Sequence, residues 1–352
     1  MGRFLNYRYS GITPYTPGEQ PQNKQYIKLN TNESPYPPSP KAIKAIDGDK
    51  LSKLNLYPDP NCSNLVKAIA EVDGVDESNV AVGNGSDEIL AFAFLAFCGD
   101  DVPAMFPDIS YGFYKVFADL CCVQKIIVPL KEDFSIDVKD YFNADATIFI
   151  ANPNAPTGIA LSLDKIEQLL INNPDNLVVI DEAYVDFGAD SAVKLIDKYD
   201  NLLVVKTFSK AYNLAGARIG YAFANKAIID DINTIKFSFN PYNINRLSLV
   251  LGEESIRDRE YFNDCISKII EARNYTINQL DKRGFKYIDS KSNFVFASHP
   301  VIKGEELYQK LKNSGILVRY FNSNRIYNYV RITIGTMEQM KALFNAIDSL
   351  EV

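Results

Sequence analysis

Between about residue 60 and residue 235 the chain alternates short apolar, β-branched runs with amphipathic stretches. The runs are Val80–Val82, Val102–Phe106, Lys125–Val128, Thr147–Ile150, Leu177–Ile180, Leu202–Val205 and Ile219–Phe223. Helical spacing fills most of the gaps, at Asn64–Val72, Asp87–Phe97, Tyr111–Leu120, Leu163–Ile171 and Ala192–Lys198. Short apolar strands separated by helices predict a mostly parallel sheet covered on both faces. Seven strands make this a large α/β domain. Beyond residue 246 the texture changes. A long helical pattern at Asp264–Leu280 is followed by strand-like Phe285–Ile288, Asn293–Ala297, Leu317–Tyr320 and Tyr329–Ile334, with helices near Gly304–Asn313 and Met337–Leu350. That pattern predicts a smaller α+β domain. The first 40 residues are rich in Pro, Asn, Tyr and Ser, and Asn30 to Pro38 reads as a long loop. The expected organisation is an arm over 1–40, a large domain over 41–245 and a small domain over 246–352.

Composition narrows the class. A chain of 352 residues is long enough for two domains and a sizeable core. Its net charge of −7 argues against nucleic acid as the main partner. An anionic small molecule remains compatible, because a basic site can sit inside an acidic protein. The longest apolar run, Ile89 to Cys98, is about half of what a membrane span needs. Met1 to Tyr15 has no apolar core of a secretion signal, so a cytoplasmic location is expected. Five cysteines form no C-x-x-C pair and read as buried free thiols. The single histidine, His299, lies in a turn-like Ser-His-Pro context, which rules out a multi-histidine metal centre. No metal site is expected.

Ligands of open α/β sheets sit beyond the carboxyl ends of the strands, so the residues just past each strand are the candidates for chemistry. After Val82 comes Gly83-Asn84-Gly85-Ser86-Asp87-Glu88 and then a helix, either a phosphate cradle or an ordinary turn. After Ile150 comes Asn152-Pro153-Asn154-Ala155-Pro156-Thr157-Gly158, which reads by itself as a rigid turn. After Ile180 stands Asp181, a carboxylate that needs a positive partner if buried, and then Tyr184. After Val205 come Ser209 and Lys210, followed by Arg218. Any one of these has a structural explanation. Together, on successive strand ends, they supply what pyridoxal 5′-phosphate requires. Lys210 is the amine for a Schiff base, and Asp181 keeps the ring nitrogen protonated. Tyr184 bonds the phenolic oxygen. Ser209, Arg218 and the amides of Gly85, Ser86 and Asp87 hold the phosphate.

The order N-P-x-x-P-T-G, D-E-A-Y, S-K-x-x-x-L-A-G-x-R-x-G resembles the fold type I aminotransferases. More narrowly, Thr13 to Gly18, Lys28 to Pro38, Pro241 to Asn245 and Val330 to Thr336 resemble the histidinol-phosphate aminotransferases. This resemblance implies a homodimeric transaminase of histidine biosynthesis that exchanges histidinol phosphate and 2-oxoglutarate for imidazole-acetol phosphate and glutamate. It implies that Lys210 carries a proton between the substrate Cα and the cofactor. Tyr111 would stack on the cofactor ring, with Asn154 nearby. Tyr57 would reach the cofactor phosphate of the neighbouring subunit. Arg319 and Arg331 would bind the anionic end of the substrates, and Tyr15 would close over them. The chain departs from the family at Ala155, where an Asn usually bonds the phenolic oxygen. Two alternatives share the cofactor residues: a decarboxylase of the threonine-phosphate type and an aromatic amino acid aminotransferase. A binding module that has lost the chemistry is the alternative from another class.

Overall fold

The computed structural model of the chain describes residues 3–21 and 25–350. Its strands, in chain order, are β1 (Ile27–Leu29), β2 (Val80–Gly83), β3 (Ala104–Pro107), β4 (Lys125–Val128), β5 (Thr147–Ala151) and β6 (Val178–Asp181). They continue with β7 (Leu202–Thr207), β8 (Gly220–Ala224), β9 (Lys286–Tyr287), β10 (Phe294–Ser298), β11 (Ile316–Tyr320) and β12 (Val330–Thr333). Seven of them form one sheet in the order β2-β8-β7-β6-β5-β3-β4, parallel except for β8, which runs against both neighbours. Every residue of β5, β6 and β7 is buried, as expected of central parallel strands covered on both faces. The edge strand β4 leaves Ile126 and Ile127 partly in solvent. The second sheet, β1-β11-β12-β10-β9, is antiparallel apart from the β1–β11 pair.

Several elements depart from the sequence expectation. The expected helix Ala192–Lys198 is a short 3-10 turn, Ala192–Leu195. Two helices, Lys226–Phe239 and Arg246–Arg257, occupy segments the pattern leaves open. The arm is not wholly irregular, because β1 within it pairs Lys28 with Leu317 and Leu29 with Val318 on β11. That pairing ties the Asn30–Glu33 loop to the smaller sheet. Of the five thiols only Cys62 and Cys265 are buried; Cys98 and Cys121 are half-buried and Cys122 is exposed. His299 uses Nδ1 to accept the backbone N–H groups of Val301 and Ile302, at 3.1 and 2.9 Å, and rests edge-on against Phe285. It is a turn-capping residue. Among the described residues no helix is long and apolar enough to cross a membrane.

Register sets up the site. Ala151 of β5 pairs with Asp181 of β6, and Asp181 pairs with Val205 of β7. The three strands therefore end side by side, and the segments after them converge.

Candidate active site

A cavity of about 580 Å³ lies at those strand ends, between the two sheets and the arm. Its wall carries Ser86, Asp87, Tyr111, Asp181, Tyr184, Ser209, Lys210 and Arg218 from the large sheet's loops, with Tyr15, Arg319 and Arg331 on the opposite side. Eleven residues singled out from the sequence thus share one cavity. Gly85 adjoins it, since its φ of +81° brings the backbone against the Arg218 guanidinium. A Cβ built there would lie 2.6 Å from an Arg218 nitrogen, so only glycine fits without displacing the arginine.

Asp181 is buried at the end of β6. One carboxylate oxygen accepts from the Tyr114 hydroxyl at 3.0 Å, and the other accepts from the Ala183 amide at 3.2 Å. Burial pushes its carboxyl up to about 6, while the bonds from Tyr114 and Ala183 pull the other way. Such a carboxylate favours a cation next to it. Lys210 Nζ lies 5.8 Å from the centre of the Tyr184 ring, and among the described residues it forms no ion pair. The Ser209 hydroxyl is buried and has no hydrogen-bond partner within the protein. The helix Ser86–Phe97 starts with Gly85 as its cap and no side chain bonded to its first turn, and its first two residues, Ser86 and Asp87, line the cavity. Arg218 pairs with Asp87 at 3.0 Å, and Asp87 also accepts the Tyr111 hydroxyl at 2.6 Å.

These features fit pyridoxal phosphate. A buried hydroxyl without a partner, an uncapped helix start and an arginine form an anion cradle at one end. A buried carboxylate able to hold a ring nitrogen's positive charge forms the other end. The lysine stands on the loop between them.

The opposite wall is basic. Arg331, on β12, donates to the Asn30 carbonyl at 3.1 Å, lies between the rings of Phe294 and Phe321, and has a buried Nε without a partner. Arg319, on β11, donates to the carbonyls of Thr16 and Pro17 at 3.0 and 3.2 Å. Neither is paired with a carboxylate among the described residues. Tyr15 stacks on Phe113, with ring centres 4.3 Å apart, and stands 6.5 Å from Tyr111.

Two residues lie elsewhere. Asn154 does not reach the cavity. Its amide donates to the Ile109 carbonyl and Thr157 hydroxyl, and its oxygen accepts from Ser110. Tyr57 is 76% exposed and stacks on Tyr242, 4.4 Å between ring centres. Asn32, Glu33, Asp108 and Phe321 also line the cavity, and the sequence does not single them out. Their segments read as loop or as alternating strand, and nothing local marks them as facing a ligand.

Gly220 on β8 sets how closely this cradle packs. A Cβ there would fall 2.2 Å from the Ser86 nitrogen and 2.3 Å from the Gly85 carbonyl carbon, both backbone atoms. Gly220→Ala must therefore shift the start of the cradle helix. We expect it to weaken cofactor affinity by at least about tenfold, as read by absorbance titration of the cofactor-free protein.

The fold and the site together define a pyridoxal-phosphate-dependent enzyme. Residues 24–347 match the family model for aminotransferases of class I and II, and the chain belongs to that family. Within it, the histidinol-phosphate aminotransferase of Brachyspira hyodysenteriae is 55% identical over 97% of this chain and 96% of its own length. The enzyme of the same name from Clostridium botulinum is 49% identical over 99% of both chains. Among solved structures, the histidinol-phosphate aminotransferase of Clostridium acetobutylicum matches with a TM-score of 0.84 and 26% identity, over 92% of this chain and 100% of that one. An L-threonine-O-3-phosphate decarboxylase from Porphyromonas gingivalis shares the fold at a TM-score of 0.76 and 22% identity, over 92% of this chain and 98% of that one. The fold alone thus does not separate transamination from decarboxylation; the sequence relatives do.

Proposed function

We propose that this transaminase moves an amino group from histidinol phosphate to 2-oxoglutarate, giving imidazole-acetol phosphate and glutamate in histidine biosynthesis. The observation that carries the reading is the pair Arg319 and Arg331. Both face the cavity that holds Lys210, and neither is neutralised by a carboxylate among the described residues. A guanidinium in such a place calls for an anionic ligand, and both the phosphate and the distal carboxylate meet that demand.

When bound, pyridoxal phosphate supplies a ring that withdraws electrons as the substrate's Cα–H bond breaks. Lys210 Nζ is the base that would take the proton from the substrate Cα and hold it for return. Asp181 holds positive charge at the ring nitrogen. The Tyr184 hydroxyl donates to the phenolic oxygen. Ser209, Arg218 and the amides at Gly85, Ser86 and Asp87 hold the phosphate. Tyr111 covers the ring, and Tyr15 shuts the substrate side against water. Asn154 acts behind this layer, bracing the Ser110 and Ile109 loop.

The working form is a cytoplasmic homodimer. Leu54, Leu56, Tyr57, Phe239 and Tyr242 are all exposed, an apolar set that a second copy would cover. Tyr57 then reaches the partner's phosphate cradle. In this reading the arm runs to residue 40, the large domain to 245 and the small domain beyond.

The test is the visible spectrum of the cofactor-loaded protein on adding histidinol phosphate with no oxoacid present. The cofactor's colour should bleach within a single half-reaction. A spectrum that ignores histidinol phosphate but answers to threonine phosphate, with release of carbon dioxide, or to an aromatic amino acid, would replace the substrate assignment.

A further inference from the structure

Asn32 belongs to the arm, yet it is held as tightly as a core residue. It is 1% exposed, with a left-handed φ of 54°. Its backbone N–H donates to Thr333 Oγ1 at 2.9 Å, and its carbonyl accepts from Asn293 Nδ2 at 3.0 Å. Its side chain spans the gap between β12 and the cavity. Oδ1 lies 3.0 Å from Thr333 Oγ1, and Nδ2 lies 2.9 Å from Tyr184 Oη.

The polarity of this chain of bonds runs one way. A backbone N–H can only donate, so Thr333 Oγ1 accepts from Asn32. The threonine's single hydrogen then goes to Asn32 Oδ1. With that oxygen fixed as an acceptor, the NH2 end of the carboxamide must donate to Tyr184 Oη. A phenol oxygen that already accepts one bond has its own hydrogen left to give. Among the described residues Asn32 is the one hydrogen-bond partner of that hydroxyl, so the hydrogen is free to point into the cavity. A phenol that accepts one bond also donates a stronger one.

Ala155 gives this arrangement a purpose. It is buried on the cavity wall and offers a methyl group where a donor would serve. The neighbouring amides are committed elsewhere. Asn152 exchanges bonds with the backbone of Leu161, and Asn154 braces its own loop. Tyr184 is therefore left to supply the hydrogen bond at the phenolic oxygen without help from that side.

We propose that Asn32 is a positioning residue that aims and strengthens the Tyr184 hydroxyl toward the cofactor's phenolic oxygen, offsetting the donor that Ala155 lacks. The proposal rests on the cofactor reading of the site given above. A hydrogen bond donated to that oxygen favours its negative form, so it lowers the pH at which the lysine-bound cofactor changes colour. Taking away Asn32 must raise that pH.

The experiment is a pH titration of the visible absorption of the cofactor-loaded protein. Asn32→Ala is expected to raise the midpoint by roughly 0.5–1 pH unit. Asn32→Asp, whose carboxylate draws the hydroxyl to itself, should raise it further. Thr333→Val keeps the side-chain volume but frees the carboxamide to turn over. It should raise the midpoint in the same direction, and it serves if Asn32→Ala folds poorly. In a Tyr184→Phe background, Asn32→Ala should add nothing. A midpoint unchanged in both Asn32→Ala and Thr333→Val, or a shift that persists without the Tyr184 hydroxyl, overturns the proposal alone. A wild-type protein that forms no titrating colour with pyridoxal phosphate overturns the cofactor reading and this proposal with it.

Discussion

Replacing Lys210 with alanine is expected to abolish covalent attachment of pyridoxal phosphate and to lower turnover by at least about 10⁴-fold. The expectation rests on where the lysine stands. β7 is buried along its whole length and delivers Ser209 and Lys210 onto the cavity wall just beyond its last residue, Thr207. Among the described residues no other lysine lines that cavity. Lys206, four residues earlier, is turned to the far side, where it lies 3.6 and 3.7 Å from Asp186 and Asp73. It cannot substitute. The proposed phosphate cradle of Ser209, Arg218 and the helix start is untouched by the change, so the variant should still bind the cofactor, though without a bond to the chain. Borohydride treatment and intact mass measurement separate the two cases. Wild type should gain the reduced cofactor's mass, and Lys210→Ala should not. Lys210→Arg preserves the charge but lacks a usable amine, and should fail in the same way. A fully active Lys210→Ala variant would remove the chemistry proposed here.

The ease with which Lys210 is found in the sequence is physically grounded. Strands of a sheet covered on both faces are short apolar runs, and the seven strands of the large sheet announce themselves that way, the antiparallel β8 and the edge strand β4 included. Once their ends are located, the polar residues just beyond them are the candidates, which leads to Asp181, Tyr184, Ser209 and Lys210. The arm obeys different rules. β1 is three residues long and owes its form to β11, nearly 290 positions away, so no local pattern marks it. Asn32 gains its role from Thr333 and Tyr184, again through contacts that only the folded chain creates. Asn154 misleads in the opposite sense. The family resemblance sets it near the cofactor, but its carboxamide is consumed by Ile109, Ser110 and Thr157 within the loops. The helix Lys226–Phe239 is hard to read because an aromatic, polar end, Lys236-Phe237-Ser238-Phe239, obscures its apolar face. The two arginines illustrate a third case. Alternation along β11 and β12 allows either face, and only the arm packing over them makes theirs the cavity face.

Asp181→Asn is expected to make the cofactor-free protein more stable while nearly silencing the enzyme. In the native chain burial raises the Asp181 carboxyl to about 6, against the opposing bonds from Tyr114 and Ala183. A raised native pKa stabilises the fold fully only below the unfolded value, near 3.9, and that contribution is lost as pH rises through 6. Above pH 6 the cofactor-free protein carries a buried charge at a cost of up to roughly 3 kcal/mol. An asparagine removes the charge and can still accept from Tyr114. The variant should therefore unfold at a higher temperature than wild type at pH 7.5, with the gap closing as pH falls toward 4. The neighbouring Glu182, pushed up to about 7 by burial and bonded to Ser191 and Ala192, is common to both proteins and cancels from the comparison. With cofactor present the order reverses. The carboxylate then has its cation, and losing one member of a buried pair typically costs about 3–5 kcal/mol. Turnover of Asp181→Asn should fall on the order of 10³-fold, and the cofactor should raise its unfolding temperature less than it raises that of wild type. Calorimetry of both proteins with and without cofactor, at pH 4.5 and 7.5, reads all of this together. Equal stability of the two cofactor-free proteins at both pH values would show that the Asp181 charge carries no cost. The case for a cation partner at the end of β6 would then be lost.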